Sequence, residues 1–303
     1  MVAPTRIGIV DMGSNAIRFL VAEATGGTAH VLESHRLPVR LGRDAFHTGQ
    51  LAETTMADTV DAFRRFRATC DRLGVVRIRA VATSAMRDAH NRDLLIDRVR
   101  AASGIEIEVI SGTQEAYLLK LGIEGKVDLS RGRSLLVDVG GGSVEVVLVE
   151  DGQVSSADSY RLGALRMLEA LDETASSGET FVDLLHKHLR NLEHRIAERF
   201  ETKVDRYVAV GGNIESLYDL VAARSGQRRV EGIDVVGLAD LDAEVHGLAR
   251  LSVAARMSER GLRADRADTI VPAGVVYVHL GELAGCDQVL VPRAGIKDGL
   301  LLE

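Results

Sequence analysis

Two short stretches of this sequence combine an aspartate with small residues in a pattern that suits phosphate and metal chemistry. Asp11-Met-Gly-Ser-Asn15 and Asp138-Val-Gly-Gly-Gly-Ser143 each lie between two apolar runs. In such a loop the backbone N–H groups converge on an anion, while the carboxylate reaches a hydrated cation. One copy alone is equally typical of an ordinary hairpin turn, so the pattern gains weight because it occurs twice.

The two stretches belong to one longer internal repeat. Aligned without gaps, residues 6–23 and 133–150 share their Arg, Asp, Gly and Glu positions and their apolar run. Because the period is far too long for a solenoid, the repeat predicts two homologous domains that face each other across a cleft.

The two copies differ at one informative position, where Arg18 of the first corresponds to Glu145 of the second. An arginine there can pair with phosphate oxygens in a fork geometry, and a glutamate can hold a metal-bound water. The alternative is that both side chains simply point to solvent from a strand.

Three further stretches follow predicted strands and begin helices, where α/β sheets bind ligands. The stretch from Ala82 to Asn91 carries hydroxyls and Arg87, which we predict to be a phosphate ligand. Glu115 falls in the first turn of a helix, and spacing alone favours a capping or dipole-stabilised carboxylate there. Gly211-Gly212-Asn213 is a phosphate-type loop that is a weak signal by itself.

Composition argues against several classes of protein. A net charge of −7, 4% aromatic residues and no Trp argue against nucleic-acid binding. Cys70 and Cys286 lie far apart outside any CxxC, so we expect neither a disulfide scaffold nor a zinc ribbon, and a reducing cytosol is the simplest setting. No apolar run approaches the roughly 18 residues of a membrane span, and Met1–Arg6 lacks a signal-peptide pattern. We therefore expect a cytoplasmic protein with no membrane partner.

The P-loop, zincin and serine-hydrolase signatures are missing from the sequence.

The elements that must position these residues alternate between strand and helix, which predicts an α/β protein. Strands are predicted at Arg6–Val10, Ile17–Glu23, Val31–Arg40, Val75–Val81, Ile105–Ile110, Ser134–Val137, Val144–Glu150, Gln153–Arg161, Tyr207–Val210 and Gln288–Val291. Helices are predicted at Leu51–Leu73, Arg92–Ala102, Thr113–Ile123 (capped by Ser111 or Thr113), Gly178–Phe200, from near Ile214, Gly237–Met257, Asp268–Leu283 and Ile296–Leu302.

Together these motifs resemble the exopolyphosphatase/guanosine pentaphosphate phosphatase (Ppx/GppA) family of the actin-like ATPase superfamily. The resemblance runs nearly end to end and includes Leu162-Gly163-Ala, Arg266-Ala-Asp-Thr-Ile-Val-Pro272 and Gly295-Ile-Lys-Asp-Gly-Leu300. It implies two ribonuclease H-like (actin-like ATPase) α/β domains that face each other across an active-site cleft. Residues 1–119 would form the first domain and 120–294 the second, with the C-terminal helix, 295–303, returning to the first.

The resemblance also implies chemistry, namely hydrolysis of a terminal phosphoanhydride with Mg²⁺ (or Mn²⁺). It makes Glu115 the general base, against the interpretation from spacing alone. The residues expected to hold the metal are Asp138, Glu145 and Asp11. The residues expected to bind phosphate are Ser14, Asn15, Arg18, Arg87, Gly140, Gly141, Gly142, Ser143, Gly211, Gly212 and Asn213.

The substrate implied by the resemblance is inorganic polyphosphate, with guanosine pentaphosphate as the alternative. A kinase of the same fold and a weakly catalytic polyphosphate or alarmone sensor are further alternatives. Gln114, Lys297 and Asp298 depart from the family pattern, and we expect them to change strength or substrate preference rather than abolish activity. The family analogy also leads us to expect a short form without added helical domains and a homodimer.

Overall fold

The computed structural model describes residues 5–25, 28–172, 181–197 and 203–303. The elements of the first half are β1 (Thr5–Met12), β2 (Ile17–Thr25), β3 (Thr28–Leu37), α1 (Leu41–Thr48), α2 (Glu53–Arg72), β4 (Arg77–Ala82), α3 (Ser84–Asp88), α4 (Arg92–Ser103), β5 (Ile107–Val109) and α5 (Gly112–Glu124). The elements that follow are β6 (Arg133–Val139), β7 (Val144–Glu150), β8 (Gln153–Tyr160), α6 (Ala164–Asp172), α7 (Phe181–Ala197), β9 (Arg206–Val210), α8 (Gly212–Ser225), β10 (Arg229–Val230), β11 (Ile233–Gly237), α9 (Leu238–Ala249), α10 (Val253–Arg260), α11 (Ala264–Ala267), α12 (Ile270–Leu283), β12 (Gln288–Val291) and α13 (Ile296–Leu302).

The first sheet has the strand order β3-β2-β1-β4-β5. Strand β2 is antiparallel to β1, whereas β4 and β5 run parallel to β1. Successive residues of β1 face opposite sides because side chains alternate along a strand. Val10 joins the core under α2 and α4, and its neighbour Ile9 joins Leu118 and Leu300 on the other face. Both faces of the sheet are therefore covered by helices.

The second sheet repeats this arrangement. Its order is β10-β11-β12-β9-β6-β7-β8, so the run β8-β7-β6-β9-β12 corresponds strand for strand to the first sheet. The strand pairing repeats as well, because Asp11 of β1 lies opposite Arg18 of β2, and Asp138 of β6 lies opposite Glu145 of β7. The duplicated ribonuclease H-like, actin-like α/β fold expected from the sequence is confirmed.

Two helices, α5 and α13, cross in close contact beside the first sheet. A Cβ added to Gly299 would lie 2.0 Å from the Leu118 carbonyl oxygen, and one added to Gly122 would lie 2.4 Å from the Gly295 oxygen. Only glycine permits this approach. The C-terminal helix α13 packs against α5 and β1. The predicted boundary between 119 and 120 falls inside α5, and the division into two domains stays a prediction.

The N-terminus of α5 is held by a capping box. Ser111 Oγ accepts a hydrogen bond from Gln114 N at 3.2 Å, and Gln114 Oε1 accepts one from Ser111 N at 2.8 Å. This selects Ser111 over Thr113 as the cap. It also explains Gln114, because Gln and Glu serve equally at the third position of the box.

Several predicted elements need correction. The single helix predicted at Gly237–Met257 is wrong, since α9 ends at Ala249 and Ser252 caps a separate α10. The prediction missed α1, α3, α6, α11, β10 and β11, while the helix predicted from Asp268 begins at Ile270. The ends predicted for Gly178–Phe200 lie outside the described residues.

Within the described ranges, no helix combines the length and the apolar character needed to cross a bilayer.

Candidate active site

The two Asp-containing loops lie in direct contact with each other. A Cβ added to Gly141 would lie 3.2 Å from Asn15 N and 3.2 Å from Ser14 Cβ, and one added to Gly142 would lie 2.8 Å from Ser14 Oγ. Any larger residue at Gly142 would push the loops apart. The loops are therefore two walls of one site.

Between these walls lies a chamber of about 60 Å³. The predicted site residues that line it are Asp11, Ser14, Asn15, Arg18, Glu115, Asp138, Gly140, Gly141, Gly142, Ser143, Gly211, Gly212 and Asn213. The two predicted residues that do not line it are Glu145 and Arg87.

The second loop is oriented by the helix that follows it. The Gly140 carbonyl accepts a hydrogen bond from Ala164 N at 2.9 Å, and the Gly141 carbonyl accepts from Leu165 N at 2.9 Å. In a trans peptide the N–H points opposite to the C=O. The N–H groups of Gly141 and Gly142 therefore point away from the first turn of α6, and both residues line the chamber. Free N–H groups at such a loop are suited to binding an anion.

The two hairpins carry opposite charges at equivalent positions. Arg18 Nη1 donates to Asp11 Oδ2 at 3.0 Å, so the first hairpin neutralises its own aspartate. Burial lowers the pKa of Arg18, but Asp11 and Asp138 together raise it above its usual value. The second hairpin instead places Asp138 opposite a second carboxylate, Glu145.

This pair of carboxylates is buried and electrostatically strained. Burial raises the pKa of Asp138 to about 8, and the charge of Glu145 contributes to the rise. Burial likewise raises the pKa of Glu145, although hydrogen bonds from Ser143 and from Ser159 Oγ, at 2.8 Å, oppose the shift. The two carboxylates thus lie opposite each other, and both are shifted toward their neutral forms.

Glu115 lies in the first turn of α5, yet it does not cap the helix. Ser111 and Gln114 complete the cap, and the Glu115 carboxylate turns to the chamber at 4% exposure. Burial raises the pKa of Glu115 well above its usual range, Glu145 raises it further, and Arg87 opposes both. The interpretation from spacing alone was wrong about its capping role.

Arg87 pairs with this carboxylate. Its Nη1 donates to Glu115 Oε2 at 2.7 Å and to the Ile110 carbonyl at 3.0 Å. Arg87 lines neither the chamber nor the larger cavity outside it. In this arrangement it orients Glu115, and its predicted contact with phosphate stays a prediction.

The third loop, at the start of α8, closes the chamber. Gly211 has φ +98° and a Cβ there would lie 2.6 Å from Asp138 Oδ1, so the position needs glycine. A Cβ at Gly212 would lie 2.0 Å from Arg266 Nη2, and Arg266 Nη1 donates to Asn213 Oδ1 at 2.9 Å.

Arg266 is a site residue that the sequence interpretation missed. Burial lowers its pKa to about 10, helped by the charges of Arg36 and Arg18, and its Nε has no hydrogen-bond partner within the described part of the chain. Arg36, Thr83 and Thr269 also line the chamber without having been predicted. The available signal was Arg266 at the head of a family-like segment, but sequence does not distinguish a buried arginine from an exposed one.

A larger cavity of about 350 Å³ lies outside the chamber and shares Asp11, Arg18 and Arg266 with it. Its cationic side chains are Arg18, Arg36, Arg263, Arg266 and Lys297. Glu215 and Asp219 add acidic groups on the α8 side. A polyanion whose end occupies the chamber would have the rest of its length in this cavity.

The sequence also matches a known protein family. Residues 20–303 match the model of the Ppx/GppA phosphatase family. The chain belongs to this family.

Two Ppx/GppA relatives illustrate the range of names in the family. The chain is 30% identical to Exopolyphosphatase 2 of Mycobacterium tuberculosis over 323 residues, with 99% of each chain covered. It is 23% identical to a guanosine-5'-triphosphate,3'-diphosphate pyrophosphatase of Aliivibrio fischeri, across 98% of this chain and 59% of that one. Among solved structures, an exopolyphosphatase from Cytophaga hutchinsonii matches with a TM-score of 0.89 at 24% identity, covering 98% of this chain and 96% of that one. The structural likeness establishes the fold.

The donor set of this Ppx/GppA site fits a hard divalent cation. Within the described residues, no three His, Cys, Asp or Glu side chains are placed to hold a metal ion by themselves. Mg²⁺ commonly takes one or two carboxylates and completes its shell with water and substrate phosphate oxygens. Asp138 and Glu145, adjacent and with raised pKa values, match that requirement, while Asp11 is already paired with Arg18.

Proposed function

We propose that this protein is an exopolyphosphatase that hydrolyses the terminal phosphoanhydride of inorganic polyphosphate and releases orthophosphate. The observation that carries the proposal is the chamber, which joins anion-binding loops to the buried Glu115 and opens to an arginine-rich cavity. The family and the full-length relative named as an exopolyphosphatase support it.

In the proposed complex the terminal phosphoryl group occupies the chamber. The N–H groups of Gly141, Gly142 and Ser143, with Ser14 and Asn15, would bind its oxygens. Arg18 lies at the boundary between chamber and cavity, where it would meet both the terminal phosphate and the next one. Arg266 and the loop at Gly211 would complete the enclosure.

Glu115 would act as the general base. Its carboxylate takes a proton from water as the water oxygen bonds to the terminal phosphorus and the bridging P–O bond breaks. The shortened chain leaves with the electrons of that bond. Arg87 holds the carboxylate in place at 2.7 Å.

The proposed cofactor is Mg²⁺ or Mn²⁺, held through Asp138 and Glu145 with help from Asp11. When bound, it would supply positive charge to the phosphate oxygens as charge moves toward the leaving group. A cytoplasmic location and a homodimer are further parts of the proposal, and sedimentation velocity measures the latter.

One assay tests the proposal. Phosphate release is measured from short polyphosphate, long polyphosphate, guanosine pentaphosphate and ATP, each with Mg²⁺ and with EDTA. We expect polyphosphate to be hydrolysed fastest and EDTA to stop the reaction. No release from either polyphosphate would contradict the proposal.

Guanosine pentaphosphate is the second candidate substrate. The cavity of about 350 Å³ is within the usual size range of small-molecule pockets, and the Aliivibrio fischeri relative is named for a guanosine substrate. A higher rate with guanosine pentaphosphate than with polyphosphate would favour it. Phosphate transfer to an acceptor other than water would indicate a kinase, and tight binding without release would indicate a sensor.

A further inference from the structure

One arginine outside the chamber contacts both the second phosphate loop and the opposite half of the molecule. Arg166 is in the first turn of α6, where its backbone N donates to the Gly141 carbonyl at 3.0 Å. Its side-chain Nε donates to the next carbonyl of the loop, that of Gly142, at 2.9 Å. The same guanidinium reaches Asp88 Oδ2 at 2.5 Å and Ser84 Oγ at 3.3 Å on α3.

The Arg166 side chain is held by a ring contact as well as by its hydrogen bonds. Its guanidinium carbon lies 3.8 Å from the centre of the Phe46 ring, and the side chain is 16% exposed. A Cβ on Gly142 would lie 2.3 Å from Phe46 and 2.6 Å from Ser84 Oγ, so the loop itself is held against the first half. Phe46, Ser84 and Arg166 thus lie against Gly142, and Asp88 holds the Arg166 guanidinium.

The bond to Gly142 has a consequence for the chamber. Three backbone N–H groups of α6, those of Ala164, Leu165 and Arg166, donate to the carbonyls of Gly140 and Gly141. The next carbonyl of the loop, that of Gly142, accepts its hydrogen bond from the Arg166 side chain instead. Because C=O and N–H oppose each other across a trans peptide, fixing the Gly142 carbonyl fixes the direction of the Ser143 N–H.

We propose that Arg166 is a positioning residue that sets the Ser143 N–H for phosphate binding only when the two halves of the molecule are together. This rests on the proposed function, since it concerns the same anion site. Arg166 does not touch the substrate. It acts through the Gly142 carbonyl, and Asp88 makes its position depend on the first half.

The test compares Arg166→Gln, Arg166→Lys and a matched control, Arg161→Gln. Arg161 Nη2 pairs with the same Asp88 Oδ2 at 2.8 Å, but its side chain is 73% exposed and it has no contact with the loop. Lysine at 166 can keep the charge pair with Asp88 but lacks the planar fork that reaches Asp88 and Gly142 together. The readouts are the Kd for orthophosphate by calorimetry, kcat and KM for polyphosphate, and the melting temperature.

We expect both Arg166 variants to bind orthophosphate about tenfold more weakly and to lose roughly 10²-fold in kcat/KM, as a misplacement near 1 Å gives. Arg161→Gln should stay within about twofold of wild type in both, because an exposed ion pair contributes little. Orthophosphate binding within twofold of wild type in Arg166→Lys would overturn the proposal, as would equal losses in Arg161→Gln. A wild-type protein that binds orthophosphate but hydrolyses no anhydride would refute the proposed function, while the binding comparison would still decide the role of Arg166.

Discussion

At the scale of single residues, Glu115 carries the sharpest prediction about catalysis. Replacing it with Gln keeps the shape and removes the base, so kcat should fall by about 10²–10⁴-fold. The fold should not suffer, because the buried carboxylate has a raised pKa and gains little from its charge. Phosphate release and thermal melting of Glu115→Gln measure the two effects separately.

A suitable control for this variant is Gln114→Glu. Residue 114 is the immediate neighbour, and either side chain completes the capping box with Ser111. Its kcat should remain within a few-fold of wild type. If Glu115→Gln turns over substrate about as fast as Gln114→Glu, Glu115 is not the general base.

Asp138 allows a prediction about pH and stability. Its pKa is raised to about 8 in the folded protein, against 3.8 as its ordinary value. Between these values the folded state binds more protons than the unfolded state, so stability without metal should fall as pH rises from 6 to 8. Asp138→Asn should weaken this dependence and, at pH 8 in EDTA, melt at least about 2 °C above wild type, the shift that roughly 1 kcal/mol gives in a chain of this size.

The measurement is a series of melting curves in EDTA at pH 6, 7 and 8. The same variant should lose phosphatase activity, since it removes a proposed metal ligand. If Asp138→Asn melts below wild type at pH 8, the ionised Asp138 carboxylate does not destabilise the folded protein, and the prediction is wrong.

The roles of individual residues could be predicted only in part from the sequence. The duplicated Asp11 and Asp138 and the contrast between Arg18 and Glu145 were visible because both copies share one register. The position of Glu115 in the chamber was not visible from spacing, because a first-turn carboxylate looks the same whether it faces solvent or a cavity. Arg266 was missed because its burial depends on a loop more than fifty residues away, at Asn213.

At the scale of elements, the capping box of α5 should connect helix stability with catalysis. Ser111→Ala removes the acceptor for Gln114 N and should destabilise the protein by about 1 kcal/mol, the usual cost of a lost cap. Because Glu115 directly follows the cap, kcat should also fall several-fold. Urea unfolding and steady-state kinetics measure the two quantities.

Ser252→Ala provides the matched control. Ser252 caps α10 by accepting from Ala255 N at 3.1 Å, and it lines neither the chamber nor the outer cavity. Its stability cost should be similar, with kcat unchanged. Equal kcat losses in the two variants would mean that a general loss of stability, not the placement of Glu115, explains the effect.

The strands and the long amphipathic helices could be predicted because hydrophobic periodicity is local. The short helix α6 was missed, although its first turn orients the second loop. One helix was predicted where α9 and α10 exist, because Ser252 caps a new helix after Arg250. The nearest glycine, Gly247, lies inside α9 and does not mark its end. Short elements fixed by long-range contacts leave little trace in the sequence.

At the scale of the whole molecule, the sequence predicted two matching halves but not how they meet. Gly142 is enclosed by Ser14, Phe46 and Ser84, all from the other half and about sixty to 130 residues away. Nothing in the loop motif itself specifies these neighbours. The internal repeat predicts that a cleft exists, and the packing of glycine against the opposite half determines its width.

The close crossing of α5 and α13 yields the last prediction. Gly122→Ala would place a Cβ 2.4 Å from the Gly295 carbonyl oxygen, which is backbone and cannot rotate away. The two helices must separate, at a cost of about 1–3 kcal/mol. Gly295, Ile296 and Lys297 line the outer cavity, so the displacement should also raise KM for polyphosphate.

Gly125→Ala is the control at the end of the same helix. A Cβ there would meet its nearest neighbours, the Gly122 oxygen and Leu302, at 3.7 Å, which is ordinary contact, and φ is −67°. Since that backbone suits alanine, the change should be neutral or should stabilise the protein by about 0.4–1 kcal/mol. Urea unfolding and KM for polyphosphate should therefore separate two glycine substitutions that are one helical turn apart. If Gly122→Ala lowers stability but leaves KM unchanged, the helix crossing holds the fold together without setting the width of the cavity.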